Sequence, residues 1–186
     1  MKNIGCVLIF LLTTTVSYGQ NFEAYIIGGV SFSQIDGDKL AGYNKVGLVA
    51  GGMTSFELKG GWSFQQEIVY YQRGSKATVE QLSLDNFSIK RLDYIDIIAQ
   101  AKYALNDKWG LLAGLGYGAF VNVKSDVTEN KSLYKSDLFG TIGVEYQLTD
   151  NLFTVLKGQY SMLSIFEIQN AYNNSLNVSL RYKFFQ

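Results

Sequence analysis

WGLLAGLGYGAFVNV, residues 109–123, decides the fold. Read with a period of two, one face is Trp109, Leu111, Ala113, Leu115, Tyr117, Ala119 and Val121; the other carries Gly110, Gly114, Gly116 and Gly118, interrupted by Leu112 and Phe120. A β-strand throws successive side chains to opposite faces, so this segment has one continuous apolar face and one largely bare face. No helix or second sheet is evident elsewhere to cover the apolar face, and the rest of the chain repeats the pattern. The segment therefore reads as a lipid-facing strand of a closed barrel, the β structure that leaves no unpaired backbone in hydrocarbon.

Working outward, eight strands are expected over 23–32, 45–58, 62–73, 90–105, 109–123, 137–148, 152–164 and 175–185. Lys59-Gly60-Gly61, Asn106-Asp107-Lys108 and Thr149-Asp150-Asn151 are tight turns built from turn-forming residues. Connections near 33–44, 74–89, 124–136 and 165–174 are long and polar. In an antiparallel meander alternate connections fall at opposite ends, so short turns share one rim and long loops the other. Bacterial outer-membrane barrels show this asymmetry, and an even strand number places both termini on the short-turn, periplasmic side. The predicted class is all-β: an eight-stranded antiparallel up-and-down transmembrane barrel.

Aromatic residues crowd the short-turn rim. Phe56 and Trp62 flank the first tight turn, Tyr103 and Trp109 the second, Tyr146 and Phe153 the third, with Tyr182 and Phe184 near the C-terminus. Together they form an expected aromatic girdle at headgroup level. The chain has no proline, which suits strands that must all donate to a ladder.

Residues 1–19 read as a signal peptide and 20–186 as the barrel domain. Lys2 and Asn3 form a short basic start, residues 4–12 are apolar, and Ser17 and Gly19 supply small residues before a cut ahead of Gln20. Cys6, the single cysteine, would leave with the leader, so no disulfide or thiol chemistry is expected afterwards. Loss of Lys2 turns a balance of 16 basic and 16 acidic residues into a net charge of −1. That balance gives no sign of a nucleic-acid partner.

If the apolar set of each strand faces lipid, the opposite set fills the lumen. It comprises Glu67, Asp96 and Glu145 against Arg73, Lys102, Lys157, Arg181 and Lys183. Eight strands leave room only for side chains, so these charges are expected to pair as an interior polar network. The other reading of the same set is a path for protons or small solutes.

Enzymatic motifs are thin. The chain contains no histidine, which removes Ser-His-Asp and Cys-His catalysis and the histidine zinc sites. Glu67 with Asp96 is the one carboxylate pair to weigh for acid/base work. GLGYGA, residues 114–119, matches a loose dinucleotide fingerprint, yet alternation runs straight through where a helix should open. Asp36-Gly37-Asp38 starts like a calcium loop without its later ligands and reads as a turn. No catalytic residue, metal site or cofactor is expected.

The segments GVSFS (29–33), GYNKVG (42–47), FQQEIVYYQRG (64–74) and LDYIDI (92–97) resemble the PorT-like outer-membrane β-barrel family typical of the Bacteroidetes. The resemblance spans residues 21–186. It departs where related sequences often carry prolines and this chain has Gln66 and Ile98, and at Phe185-Gln186, where a terminal aromatic is usual. The resemblance implies the barrel fold and a bacterial outer-membrane location, which the signal peptide read at residues 1–19 would serve; the expected role is structural or interactional, or auxiliary to envelope transport or secretion. Outer-membrane lipids are the expected partners. A protein partner would meet the long loops, with Tyr43, Asp85, Tyr134 and Tyr172 as candidates. The competing reading is a soluble periplasmic lipocalin-like barrel, in which Leu111, Leu115, Ile142, Val144, Val178 and Leu180 would line a cavity for an apolar ligand.

Overall fold

Alternating side chains and tight polar turns produce a single closed sheet. The computed structural model describes residues 22–37, 42–76, 89–125, 136–164 and 171–185. Its strands are β1 Phe22–Asp36, β2 Lys45–Glu57, β3 Trp62–Lys76, β4 Ile89–Ala104, β5 Trp109–Ser125, β6 Asp137–Gln147, β7 Leu152–Ser161 and β8 Tyr172–Phe185. Each pairs antiparallel with its sequence neighbours, and β1 pairs with β8 from Asp36↔Tyr172 to Ala24↔Phe185, closing the barrel.

Most strands run further toward the long-loop rim than the alternation of apolar residues suggests. β1 continues to Asp36, β3 to Lys76 and β5 to Ser125, while β8 begins at Tyr172. Backbone pairing carries these polar ends: Ser33, Gln34 and Ile35 stand opposite Ser175, Asn174 and Asn173. Tyr172, expected in a loop, is therefore a strand residue. β7 goes the other way and stops at Ser161 rather than 164. Asp36 ends β1 and Gly37 follows with φ 103°, a turn that only glycine adopts without strain. Tyr43 is exposed; Asp85, Tyr134 and residues 1–19 lie outside the described residues.

The three short connections share one rim. Lys59–Gly61 forms a single 3₁₀ turn with Gly60 and Gly61 at φ 73° and 79°, and the Leu58 N–H donates to the Trp62 carbonyl at 2.8 Å. In the second turn Asn106 Oδ1 accepts from the backbone N–H groups of Lys108 and Trp109, each at 2.9 Å. In the third, the Leu148 N–H donates to the Leu152 carbonyl at 2.9 Å. Both strand termini of the chain lie at this rim, where the Phe22 ring meets those of Phe56 and Phe185 at 5.3 and 6.0 Å.

The outer surface is apolar through its middle. Ile26, Leu48, Ile68, Ile97, Leu115, Ile142, Leu156 and Val178 all face out. Two aromatic pairs, Trp62–Tyr103 and Trp109–Tyr146, border this band at the short-turn rim with ring centroids 4.8 and 4.6 Å apart. Toward the loops the same outward register turns polar at Gln34, Asp36, Gln72 and Arg91. From Trp62 to Gln72 along β3, a rise of about 3.3 Å per residue at a tilt of about 40° gives roughly 25 Å, the height of an outer-membrane apolar band.

One bulge interrupts β5. Asp93 stands opposite Asn122 and Tyr94 opposite Phe120, leaving Val121 as an extra residue. Beyond it the alternation changes sides, so Val123 turns inward and joins Ile35, Leu92, Tyr94 and Ala171 in an apolar cluster at the loop end of the lumen.

Candidate functional site in the barrel interior

The inward register of β3 sets the interior. Gln65, Glu67, Val69, Tyr71 and Arg73 all lie on it and all are buried. Glu67 anchors a first group of charges. Its carboxylate accepts from Arg181 of β8, from Lys157 Nζ of β7 at 2.6 Å and from Gln100 Nε2 of β4 at 2.8 Å. Arg181 also binds Glu145 of β6 at 2.6 Å and Gln65 at 3.2 Å, and Lys102 Nζ reaches the other Glu145 oxygen at 2.5 Å. Two carboxylates thus meet three cations, the five groups drawn from five strands.

A second group surrounds Arg73. Its guanidinium bonds Asp96 and reaches Asp137 at 3.1 Å and Gln159 Oε1 at 3.3 Å. Rings of Tyr71, Tyr94 and Phe139 stand 5.2, 5.2 and 4.6 Å from its central carbon. Aromatic faces stabilise a desolvated guanidinium better than aliphatic walls do. Asp137 in turn accepts from Ser161 Oγ at 2.5 Å, and Gln159 Oε1 from Ser175 Oγ at 2.9 Å.

Apolar residues share the lumen with these groups. Tyr25, Ile27, Val49, Met53, Val69, Tyr71, Ile98, Phe139 and Phe153 form a buried cluster. The stretch that decides the fold makes room for it: a Cβ on Gly116 would lie 2.4 Å from two edge carbons of the Phe139 ring, and one on Gly118 would strike Asp96 Oδ1 at 2.6 Å. These glycines are the sockets into which the larger side chains paired with them on β6 and β4 fit.

All eight side chains expected in the interior network lie on the inward register, but they do not form one cluster. Glu67, Lys102, Glu145, Lys157 and Arg181 come together. Arg73 and Asp96 belong to the second group, and Lys183 pairs with Glu23 at 3.0 Å near the short-turn mouth. Glu67 and Asp96 are not arranged as an acid/base pair, since each bonds different cations. Asp137 and Gln65 lie outside the expected set. Asp137 lies four residues before Thr141 on the same face of β6, so the period of two contains the signal. For the apolar part of the lumen polarity gives no signal and parity alone does: Val69 and Tyr71 share the register of Glu67, and Ile98 that of Asp96.

Phe153 does not belong to the aromatic girdle. It is 7% exposed, faces the lumen, and meets Tyr25 edge-to-face at 5.7 Å, with Lys102 Nζ 5.7 Å from its ring centre. Proximity to the third turn placed it at the rim; alternation from the outward Leu156 turns it inward. Phe56, Trp62, Tyr103, Trp109, Tyr146, Tyr182 and Phe184 lie on the outward register at the short-turn rim. That mouth holds a cavity of about 360 Å³ lined by Lys102, Lys108, Gly110, Glu145, Gln147 and Phe153.

The set that a ligand-binding barrel would need inside is outside. Leu111, Leu115, Ile142, Val178 and Leu180 are all exposed, and Val144 shares their outward register. Among the described residues no group of three or more potential metal ligands occurs. GLGYGA runs as uninterrupted strand with its glycines against the lumen.

A closed antiparallel sheet, apolar outside and filled with paired charges inside, defines a membrane-spanning β-barrel protein. The chain belongs to the outer membrane protein beta-barrel domain family, whose model matches residues 4–184. Among solved structures it is similar to Neisserial surface protein A, at 13% identity and TM-score 0.59, covering 87% of this chain and 97% of that one. It is also similar to Ail, the attachment invasion locus protein of Yersinia pestis, solved in complex with the heparin analogue sucrose octasulfate. That match has 17% identity and TM-score 0.54, covering 88% and 99% of the two chains. No curated protein matches it in sequence. These likenesses establish the outer-membrane barrel fold and, with the family, its place in the outer membrane.

Proposed function

We propose that this protein is a non-enzymatic outer-membrane barrel whose lumen is closed to solutes and whose work is done at the long-loop rim, in a structural or interaction role or as an auxiliary to envelope transport or secretion. The observation that carries this reading is the cross-lumen network, in which Arg181 ties β8 to Glu67 on β3 and to Glu145 on β6. Charges held in such pairs across the barrel occupy the space that a conducting path would need. The absence of histidine, and the commitment of Glu67, Asp96 and Glu145 to cations, argue against acid/base chemistry.

The same reading takes residues 1–19 as a cleaved signal peptide, places both termini in the periplasm and the long loops outside, and takes the chain as PorT-like. The short segments at 29–33, 42–47, 64–74 and 92–97 support that last assignment.

Mature protein extracted from membranes should migrate faster in SDS before boiling than after it, and should add no conductance above background in a planar bilayer. Reproducible single-channel steps would overturn the closed lumen. Recovery from the soluble periplasm with no heat-dependent shift would overturn the membrane placement.

A further inference from the structure

Gln66 projects outward from β3, exposed, among apolar side chains. It lies four residues from Trp62 and six from Gln72, so along a strand rising about 3.3 Å per residue it sits roughly 10 Å inside the aromatic rim and well within the apolar band. Its lateral neighbours in the outward register are Thr54 on β2 and Ala99 on β4. Its carboxamide makes no hydrogen bond to any described residue. The outward register of the described strands places no other carboxamide, and no charge, at this depth. Hydrocarbon offers an amide neither donor nor acceptor, and the glutamine stem is too short to carry it to the headgroups.

Along β3 Gln66 stands between the outward Phe64 and Ile68, but the strands flanking it carry small side chains. Ala24 and Thr54, then Ala99 and Ala101, stand on either side of Gln66, and Gly52 lies diagonally from it. A Cβ added at the outward-facing Gly28 would meet nothing within 4 Å. A second barrel wall can approach closely at such a surface, as small residues permit between helices in membranes.

We propose that this face, β1 to β4 centred on Gln66, is the contact surface for a second copy of this chain. A carboxamide both donates and accepts, so two of them form a cyclic pair of N–H···O bonds. Two barrels inserted in the same direction and related by a two-fold axis along the membrane normal place their Gln66 residues at the same depth. Each then presents the same patch to the other, as an isologous interface requires. A different partner would need its own donor and acceptor at that depth, whereas a second copy supplies them by symmetry.

The test uses full-length mature barrel, labelled separately with donor and acceptor fluorophores on a long loop, reconstituted in phosphatidylcholine vesicles and diluted with lipid. Energy transfer should persist for the wild-type protein and fall for Gln66→Leu, with the half-dissociation mole fraction rising at least tenfold while heat-dependent migration is unchanged. In a chain carrying Cys6→Ser, Gln66→Cys should oxidise to a covalent homodimer and Ile142→Cys, on the far wall, should not. The proposal is overturned if wild-type protein is monomeric at the highest protein-to-lipid ratio, or if Gln66→Leu associates as wild type does. Equal cross-linking at positions 66 and 142, or capture of only another protein by Gln66→Cys, would overturn it as well. Because every arm is read on folded barrels, failure here leaves the closed-lumen reading intact.

Discussion

Arg181, on the last strand, hydrogen-bonds Glu67, on the third, straight across the barrel. Neither strand pairs with the other in the sheet, so the bond adds a tie that the backbone ladder does not provide. Lys157 shares the same carboxylate from β7.

Removing that carboxylate strands the buried Lys157 and leaves Arg181 only Glu145 and Gln65. Glu67→Ala is expected to destabilise the barrel by about 3–5 kcal/mol, the range for breaking a buried ion pair from one side. Urea unfolding in lipid vesicles, followed by tryptophan emission, measures it. Replacing Glu67, Lys157 and Arg181 together by apolar residues of similar volume should recover most of the loss. Equal damage from single and triple variants would contradict the pairing.

Phe153 and Trp62 separate the lumen from the girdle. Phe153→Ala should lower stability by about 3–5 kcal/mol, because it removes a buried ring that meets Tyr25 edge-to-face and enlarges the cavity at the short-turn mouth. Trp62→Phe at the rim should change it by less than about 1 kcal/mol, since an aromatic ring is retained at the interface. The same unfolding assay decides, and the reverse order would return Phe153 to the outer surface.

The glycine sockets predict a coupled pair. Gly116→Val should block assembly or cost more than about 1–3 kcal/mol, as its side chain would collide with the edge of the Phe139 ring. Phe139→Ala added to Gly116→Val should restore much of the heat-dependent migration. Two variants whose effects simply add would show that the residues do not meet.

Both tryptophans of the chain, Trp62 and Trp109, stand at the short-turn rim. Lipids brominated near the headgroup should quench their emission more strongly than lipids brominated at the chain ends. Stronger quenching at the chain ends would place this rim within the bilayer interior and redraw the apolar band.

Protease shaving of intact cells tests the orientation. Trypsin is expected to cut at Lys39, Lys131 or Lys135, between strands at the long-loop end, and to spare Lys59 and Lys108 in the short turns. Cuts confined to Lys59 and Lys108 would invert the barrel.

Much of this architecture is legible in the residues because a membrane barrel exposes its period of two to a uniform solvent. Leu111, Leu115, Ile142 and Val178 reveal the outer face, and Gly60-Gly61, Asn106 and Thr149 mark the tight turns. Strand ends are harder to read. The stretch from Ser33 to Asp36 is polar, and only the opposing Tyr172 to Ser175 makes it strand, a fact about pairing across 136 positions rather than about local composition. The partners of Arg73 are equally hidden. Parity says that Arg73, Asp96 and Asp137 point inward, but which of them meet depends on how the strands stagger around the closed sheet. The bulge at Val121 likewise has no warning in the residues around it, and it decides which side Val123 takes.

The tie between Arg181 and Glu67 also has a direction in time. Synthesis and export run from the N-terminus, so the carboxylate on β3 exists long before the guanidinium that neutralises it on β8. Until the last strand is laid against the first, the interior holds more acid than its partners can match, and that imbalance opposes burial in a bilayer. The final strand therefore closes two things at once, the hydrogen-bond ladder against β1 and the charge balance of the interior, through Arg181 on Glu67 and Glu145 and Lys183 on Glu23.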